Sequence, residues 1–267
     1  MAMTAGSTQK PDPTAEIDLD AFVRDGFVGV PNFLSGAGLE QLRTWVCEIE
    51  AWPPGEGTWF QHDELGERGV VRTRTENFSP HHAGLRQMLT TGALPQMAGR
   101  LLGEPAVLYK EKVNYKYPGG AAFAPHQDAP AYPQVPVTVS CLLAVDDATT
   151  ENGCLELVAG RHHALLPTNG EGCIPADVAE RLSWVAMPVP AGSLLWFHGH
   201  TPHRSGPNRS PHPRRALYLT YNAAALGDLR EAYYAHKRAT FAKMSAANAG
   251  RISLIGHFQG TTPPGDA

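Results

Sequence analysis

The sequence predicts a mainly β fold with flanking helices, a double-stranded β-helix of the jelly-roll, cupin-like kind. Helical stretches come first, at least six short strand-like runs follow after Gly103, and one more helix comes near the end. Strands grouped together, rather than alternating with helices, imply sheets packed on each other and buttressed by the helices. Among all-β folds, the jelly roll most naturally leaves a mouth that holds a ligand. A length of 267 residues suits one large domain of this kind.

The elements follow in order. Residues 1–16 are polar and Pro-containing and are expected to form a disordered tail. Asp18 caps a short helix that Gly26 stops. A short strand over 27–34 is broken by Pro31. Leu39, Leu42, Val46 and Ile49 recur at helical spacing within 36–50. More helix is expected over 82–102, split by Gly92 and Pro95. The run VLYKEKVNYKY then alternates, with Tyr109, Val113 and Tyr115 on one face and Lys110, Lys112, Asn114 and Lys116 on the other. VPVTVSCLLAV (135–145), CLELV, WVAMPV, SLLWFH and RALYLTYN are further strands, separated by Gly, Pro and Asn turns. The helix DLREAYYAHKRATFAKM ends the domain, which is placed at 17–247, and 248–267 reads as a C-terminal tail.

Bulk properties narrow the function. A net charge of −4 gives no excess of cations for a nucleic-acid partner. The four cysteines form no C-x-x-C pair, so reduced, mostly buried thiols are expected. No apolar run approaches a membrane span or a signal core, and a cytoplasmic enzyme, monomeric or homodimeric, is the expectation.

The chemistry concentrates in APHQDAPAY, residues 124–132. His126 and Asp128 are two apart, so on extended backbone they face the same way and one cation can reach both. A further ligand must come from elsewhere. The stretch 193–222 offers His198, His200, His203 and His212. Two histidines and a carboxylate leave three octahedral positions open, an arrangement that suits iron(II) and O2. An Arg eleven residues after His203, entering the next strand, can pair bidentately with a carboxylate whose other end chelates the metal.

These residues resemble the phytanoyl-CoA dioxygenase family of iron(II)/2-oxoglutarate oxygenases. The resemblance lies in FVRDGFVGVPNFLS at 22–35, HQD at 126–128, ENGCLELVAGRHH at 151–163 and HRSGPNRSPHPRR at 203–215, and spans roughly 18–225. It implies that His126, Asp128 and His203 hold Fe(II) and that Arg214 binds the distal carboxylate of 2-oxoglutarate, supported by Ser205. His198 is expected to pack beside the site. Arg215, the strand neighbour of Arg214, must face the other way. NYKYPGG at 114–120 is similar to ectoine hydroxylases, which implies that Asn114 contacts 2-oxoglutarate and that Lys112 lies in the active site. The family's reaction consumes O2 and 2-oxoglutarate and yields succinate, CO2 and a hydroxylated product. Asp128 speaks against a halogenase, whose relatives lack that carboxylate.

For the substrate, Lys110 and Lys112 with Arg72 and Arg74 form a basic set that suits a small anion, with Tyr132 beside the metal motif. RTENF, YKEKVNYKYPGG and PHQDAPAY resemble the 2-aminoethylphosphonate hydroxylase branch. Asp63, Glu64 and Glu76 are candidates for holding a substrate amine. Two alternatives stay open: hydroxylation of an acyl thioester or natural product under an apolar lid built from Trp59, Phe60 and Tyr132, and a non-redox cupin-like metal protein.

Overall fold

The computed structural model of the chain describes residues 17–54, 58–66, 69–243 and 252–263. The expected tail over 1–16 lies outside the described residues. Helix α1 (Leu19–Asp25) begins where the Asp18 side chain accepts from Ala21 N, and ends at Gly26, whose φ of 83° is the left-handed stop a glycine supplies. Strand β1 (Phe27–Val30) stops at Pro31. Helix α2 (Gly36–Glu50) buries Leu42, Val46 and Ile49 along one stripe. Strands β2 (Phe60–Gly66) and β3 (Gly69–Glu76) form a hairpin, followed by α3 (Ala83–Thr90) and α4 (Ala93–Leu102). The break between these helices falls at Gly92; Pro95 sits inside the first turn of α4, where its missing N–H is tolerated.

The strands after Gly103 are β4 (Ala106–Lys116), β5 (Phe123–His126), β6 (Thr138–Ala144), β7 (Leu155–Leu157), β8 (Val185–Met187), β9 (Leu194–His198), β10 (His203–Ser205) and β11 (Arg214–Ala223). A four-residue helix α5 (Ala176–Ala179) interrupts them, and α6 (Arg230–Ala242) follows. They build two antiparallel sheets, one ordered β1-β9-β6-β11-β4-β3-β2 and the other β5-β10-β7-β8. This is the expected jelly roll.

The large sheet is covered on both faces. Val139, Cys141 and Leu143 of β6 join Val113 and Tyr115 of β4 in a core under helices α1 to α4. Leu142 and Ala144 point the other way, into a second core with Leu155, Leu157 and Phe197. Every residue of β6 is buried, the polar Thr138 and Ser140 included, as a strand covered on both faces requires. At the far end of the inner face an aromatic cluster of Tyr109, Tyr132, Tyr233, Tyr234 and Ile255 brings α6 and the chain end over β4. Tyr109 thus leaves the face it was expected to share with Val113 and Tyr115. The β4–β11 register pairs Lys110 with Thr220 and Leu108 with Tyr221, so Tyr109 is a bulged extra residue. All four cysteines are free, with Cys47 exposed and the others buried. Among the described residues, no helix is long and apolar enough to cross a membrane.

Candidate active site

The mouth between the sheets gathers the His-x-Asp motif and one distant histidine. His126 ends β5 and His203 opens β10, facing each other across the ladder. Asp128 does not lie on extended backbone, as the sequence suggested. Its φ of −72° and ψ of −32° start a 3-10 turn over Ala129–Ala131, with Pro130 in its first positions. The turn still returns the carboxylate to the histidines: Asp128 Oδ1 is 4.0 Å from Nε2 of both His126 and His203. Gln127 points away, its Nε2 donating to the carbonyls of Ala164 and His200.

Each histidine is oriented through its far nitrogen. Nδ1 of His126 lies 2.7 Å from Ala124 O, and Nδ1 of His203 lies 3.0 Å from Thr201 O. A carbonyl only accepts, so Nδ1 holds the proton and Nε2 offers its lone pair. Ser140 Oγ donates to Asp128 Oδ2 at 3.2 Å, which leaves Oδ1 for the histidine side. Burial lowers His126 well below the ordinary histidine range, with His203 adding to it, and burial lowers His203 too. Burial alone would raise Asp128, but His203, Lys112 and His126 hold its carboxyl down at about 2. Two neutral imidazoles and one carboxylate are the donor set that holds iron(II) with room for co-substrates. Among the described residues they form the one group of side chains close enough together to hold a metal ion.

Cations stand on both sides of this triad. At one end, Arg214 is fully buried, its Nη1 donates to Tyr218 Oη at 3.0 Å, and its Nε and Nη2 have no hydrogen-bond partner among the described residues. Lys116 stands near it, donating to Ser205 Oγ at 2.9 Å. At the other end Lys112 feels Arg74 and Lys110. Arg74 Nε donates to Asn114 Oδ1 at 3.0 Å, which fixes the amide with its NH2 group free. Lys112, Asn114, Tyr132, Ser205 and Tyr218 line a cavity that also holds His126, Asp128 and His203.

Several expected positions are corrected. Arg72 lies outside the cavity: β3 pairs with β4 only from Arg74 onward, so Arg72 falls at the sheet's margin, bound to Asp63 at 2.5 Å. Lys110 sits behind Tyr132, 3.4 Å from its hydroxyl and 3.7 Å from Glu76, and does not line the cavity. His198 faces His162 and His200 rather than the site. Arg215 faces outward, as strand alternation requires, and pairs with Asp146 at 2.8 Å. Trp59 and Phe60 pack elsewhere, against Trp52 and Tyr234. The SGPN turn after His203 is pinned by Asn208, whose Nδ2 donates to the carbonyls of Lys116 and His212. A side chain on Gly153 (φ 77°) would come within 2.2 Å of Gly206 O, so this turn requires glycine opposite it. His257 was missed: it lines the cavity from a segment read as tail.

Comparison with known proteins matches this arrangement. The phytanoyl-CoA dioxygenase family profile covers residues 22–216. The chain belongs to this family. The methylphosphonate hydroxylase of Gimesia maris is 49% identical over 91% of this chain and 94% of its own length. The 2-aminoethylphosphonate dioxygenase of an uncultured bacterium is 36% identical over 81% and 85%. In structure, EctD from S. alaskensis with 2-oxoglutarate and 5-hydroxyectoine superposes with a TM-score of 0.68 over 81% of this chain and 79% of that one, at 22% identity, and so shares the fold. As a family member the protein is an iron- and 2-oxoglutarate-dependent dioxygenase, which removes the non-redox cupin alternative. Its residues fit both groups. The triad could supply the metal donors, and the two guanidinium nitrogens of Arg214 that have no partner among the described residues are buried donors of the kind a carboxylate satisfies.

Proposed function

We propose that this dioxygenase hydroxylates the carbon next to phosphorus in a small phosphonate, with methylphosphonate preferred over 2-aminoethylphosphonate. His126, Asp128 and His203 hold iron(II), and Arg214 with Ser205 and Asn114 holds 2-oxoglutarate. With both bound, the centre supplies the oxidant that turns C–H into C–OH, consuming O2 and releasing succinate and CO2. Lys112, which the resemblance puts in the active site, is assigned to the phosphonate rather than to the co-substrate: it lines the cavity and feels Arg74 and Lys110. Tyr132 closes the cavity on that side.

One observation carries the choice of substrate. The cavity has unpaired cationic character but offers no carboxylate to an ammonium group. Among the described lining residues, Asp128 is the sole carboxylate, and it belongs to the metal. Glu76 is buried and held by Lys237 at 2.7 Å and Lys110 at 3.7 Å. Asp63 is taken by Arg72, and Glu64 accepts from Ala121 N at 3.2 Å. Trp59 and Phe60 pack against Trp52 and Tyr234, and among the described residues neither lines the cavity as a lid for a thioester or large natural product would.

The test is succinate release from the iron(II) enzyme over methylphosphonate, 2-aminoethylphosphonate, amino acids, betaines and acyl-CoAs. Methylphosphonate is expected to give the highest kcat/KM, with hydroxymethylphosphonate as product. Stimulation by acyl-CoAs or betaines but by no phosphonate defeats the reading.

A further inference from the structure

The chain end supplies a wall of the active site. Residues 252–263 run beside β5: Ala124 N donates to His257 O at 2.7 Å, Gln259 N donates to Ala122 O at 3.1 Å, and Phe258 bridges Phe123. Ile252 O accepts from Arg74 Nη1 at 2.9 Å. These bonds fix the backbone on either side of His257.

His257 is 3% exposed, and its ring stacks on His126 with centroids 4.2 Å apart and planes 20° from parallel. Its Nδ1 lies 3.2 Å from Ile255 O, the same bond to the carbonyl two residues back that orients His126 and His203. Nδ1 therefore carries the proton and Nε2 is an acceptor. In the other two histidines that atom faces the metal position. Among the described residues His257 makes its hydrogen bond through Nδ1, and it lines the cavity without belonging to the metal-holding group, which leaves Nε2 to a ligand. Lys112 lines the same cavity, and Arg74, whose guanidinium lies over the Phe123 ring and donates to Ile252 O, is the other cation acting on His257.

We propose that His257 is a substrate-binding residue whose Nε2 accepts a hydrogen bond from the P–OH group of a phosphonate monoanion, with Lys112 facing the charged oxygens. This rests on the phosphonate reading. An acceptor among cations selects an anion that still carries a proton. A phosphonate, like a phosphate monoester ionising a second time near neutrality, carries one. A sulfonate does not.

The test uses the iron(II) enzyme and two variants. H257F keeps a ring to stack on His126 but removes Nε2, and H257Q restores a polar group at similar reach. Expected for H257F is unchanged iron and 2-oxoglutarate binding, read from the visible band of the anaerobic complex. Its KM for methylphosphonate is expected to rise about 10- to 100-fold, with kcat changing less, and H257Q recovers most of that. Methanesulfonate is expected to inhibit wild type and H257F equally weakly. If H257F misfolds, H257N, too short to reach the cavity, carries the same prediction. H257F, or H257N in its place, with wild-type KM overturns the proposal. So does one that loses iron binding, since His257 would then be a prop for His126. A wild-type enzyme that no phosphonate stimulates overturns both this proposal and the phosphonate reading, whereas a responsive wild type matched by H257F overturns this proposal alone.

Discussion

The outer and inner faces of the β4–β11 strand pair carry charge in opposite ways. On the outer face the charges are matched. Glu111 is bound by both Arg230 nitrogens that reach it and by Ser79 N, while Arg215 is bound bidentately by Asp146. On the inner face Arg214 leaves two buried nitrogens without partners among the described residues, and Lys112 feels the like charges of Arg74 and Lys110, with Asp128 of the His-Asp-His group as the foremost opposing charge. Adjacent residues of one strand thus serve two purposes. A charge whose partner is built into the fold holds the fold, and a charge whose partner is missing from it is placed for a molecule that comes and goes.

Substitutions on the two faces should separate stability from function. Arg230→Ala leaves Glu111 buried without its cation, so we expect a loss of about 3–5 kcal/mol in urea unfolding with nearly unchanged KM values below the new melting point. Arg214→Ala should do the reverse. It removes a guanidinium the protein does not fully satisfy, so unfolding should shift little. The 2-oxoglutarate requirement should rise about 100-fold or more, since two charge-assisted hydrogen bonds are lost. Arg215→Ala should leave that requirement at the wild-type value. If Arg215→Ala instead raised it and Arg214→Ala did not, the assignment of the two faces would be inverted.

That the two arginines face opposite ways was legible in the sequence, because strand alternation needs no tertiary information, and the family resemblance pointed to Arg214 as the inward one. The same holds for the α1 caps at Asp18 and Gly26 and for the uniformly buried β6. What escaped sequence reading depends on register and long-range bonds. The bulge at Tyr109 is set by pairing with β11, and the margin position of Arg72 is set by where β4 stops pairing with β3. His257 was hidden for the same reason: its segment is ordered by bonds to Ala124, Ala122 and Arg74, more than a hundred residues away. The motif HQD carried the metal site because its two ligands are local, although Asp128 reaches it through a turn rather than a strand.

The smallest expected effect is a pH dependence, and its sign follows from Lys112. Burial, then the charges of Arg74 and Lys110, hold its ammonium well below 10.5. In the free protein the folded state therefore binds fewer protons here than the unfolded chain. This residue opposes folding at low pH, and that penalty fades as pH rises toward 10.5. A bound phosphonate reverses the balance by favouring the charged form, so binding takes up a proton above the depressed value. Lys112 should then contribute a rise of the methylphosphonate dissociation constant with pH through the interval below 10.5, by at most about tenfold per unit, over and above the rise from the phosphonate's own second ionisation. Lys112→Met should bind weakly at every pH, with a flattened profile, and should be no less stable than wild type near neutrality. Titrations of the anaerobic iron(II)–2-oxoglutarate complex across that interval measure it. A Lys112→Met profile as steep as wild type would move the proton uptake to another group and leave Lys112 without its place at the phosphonate.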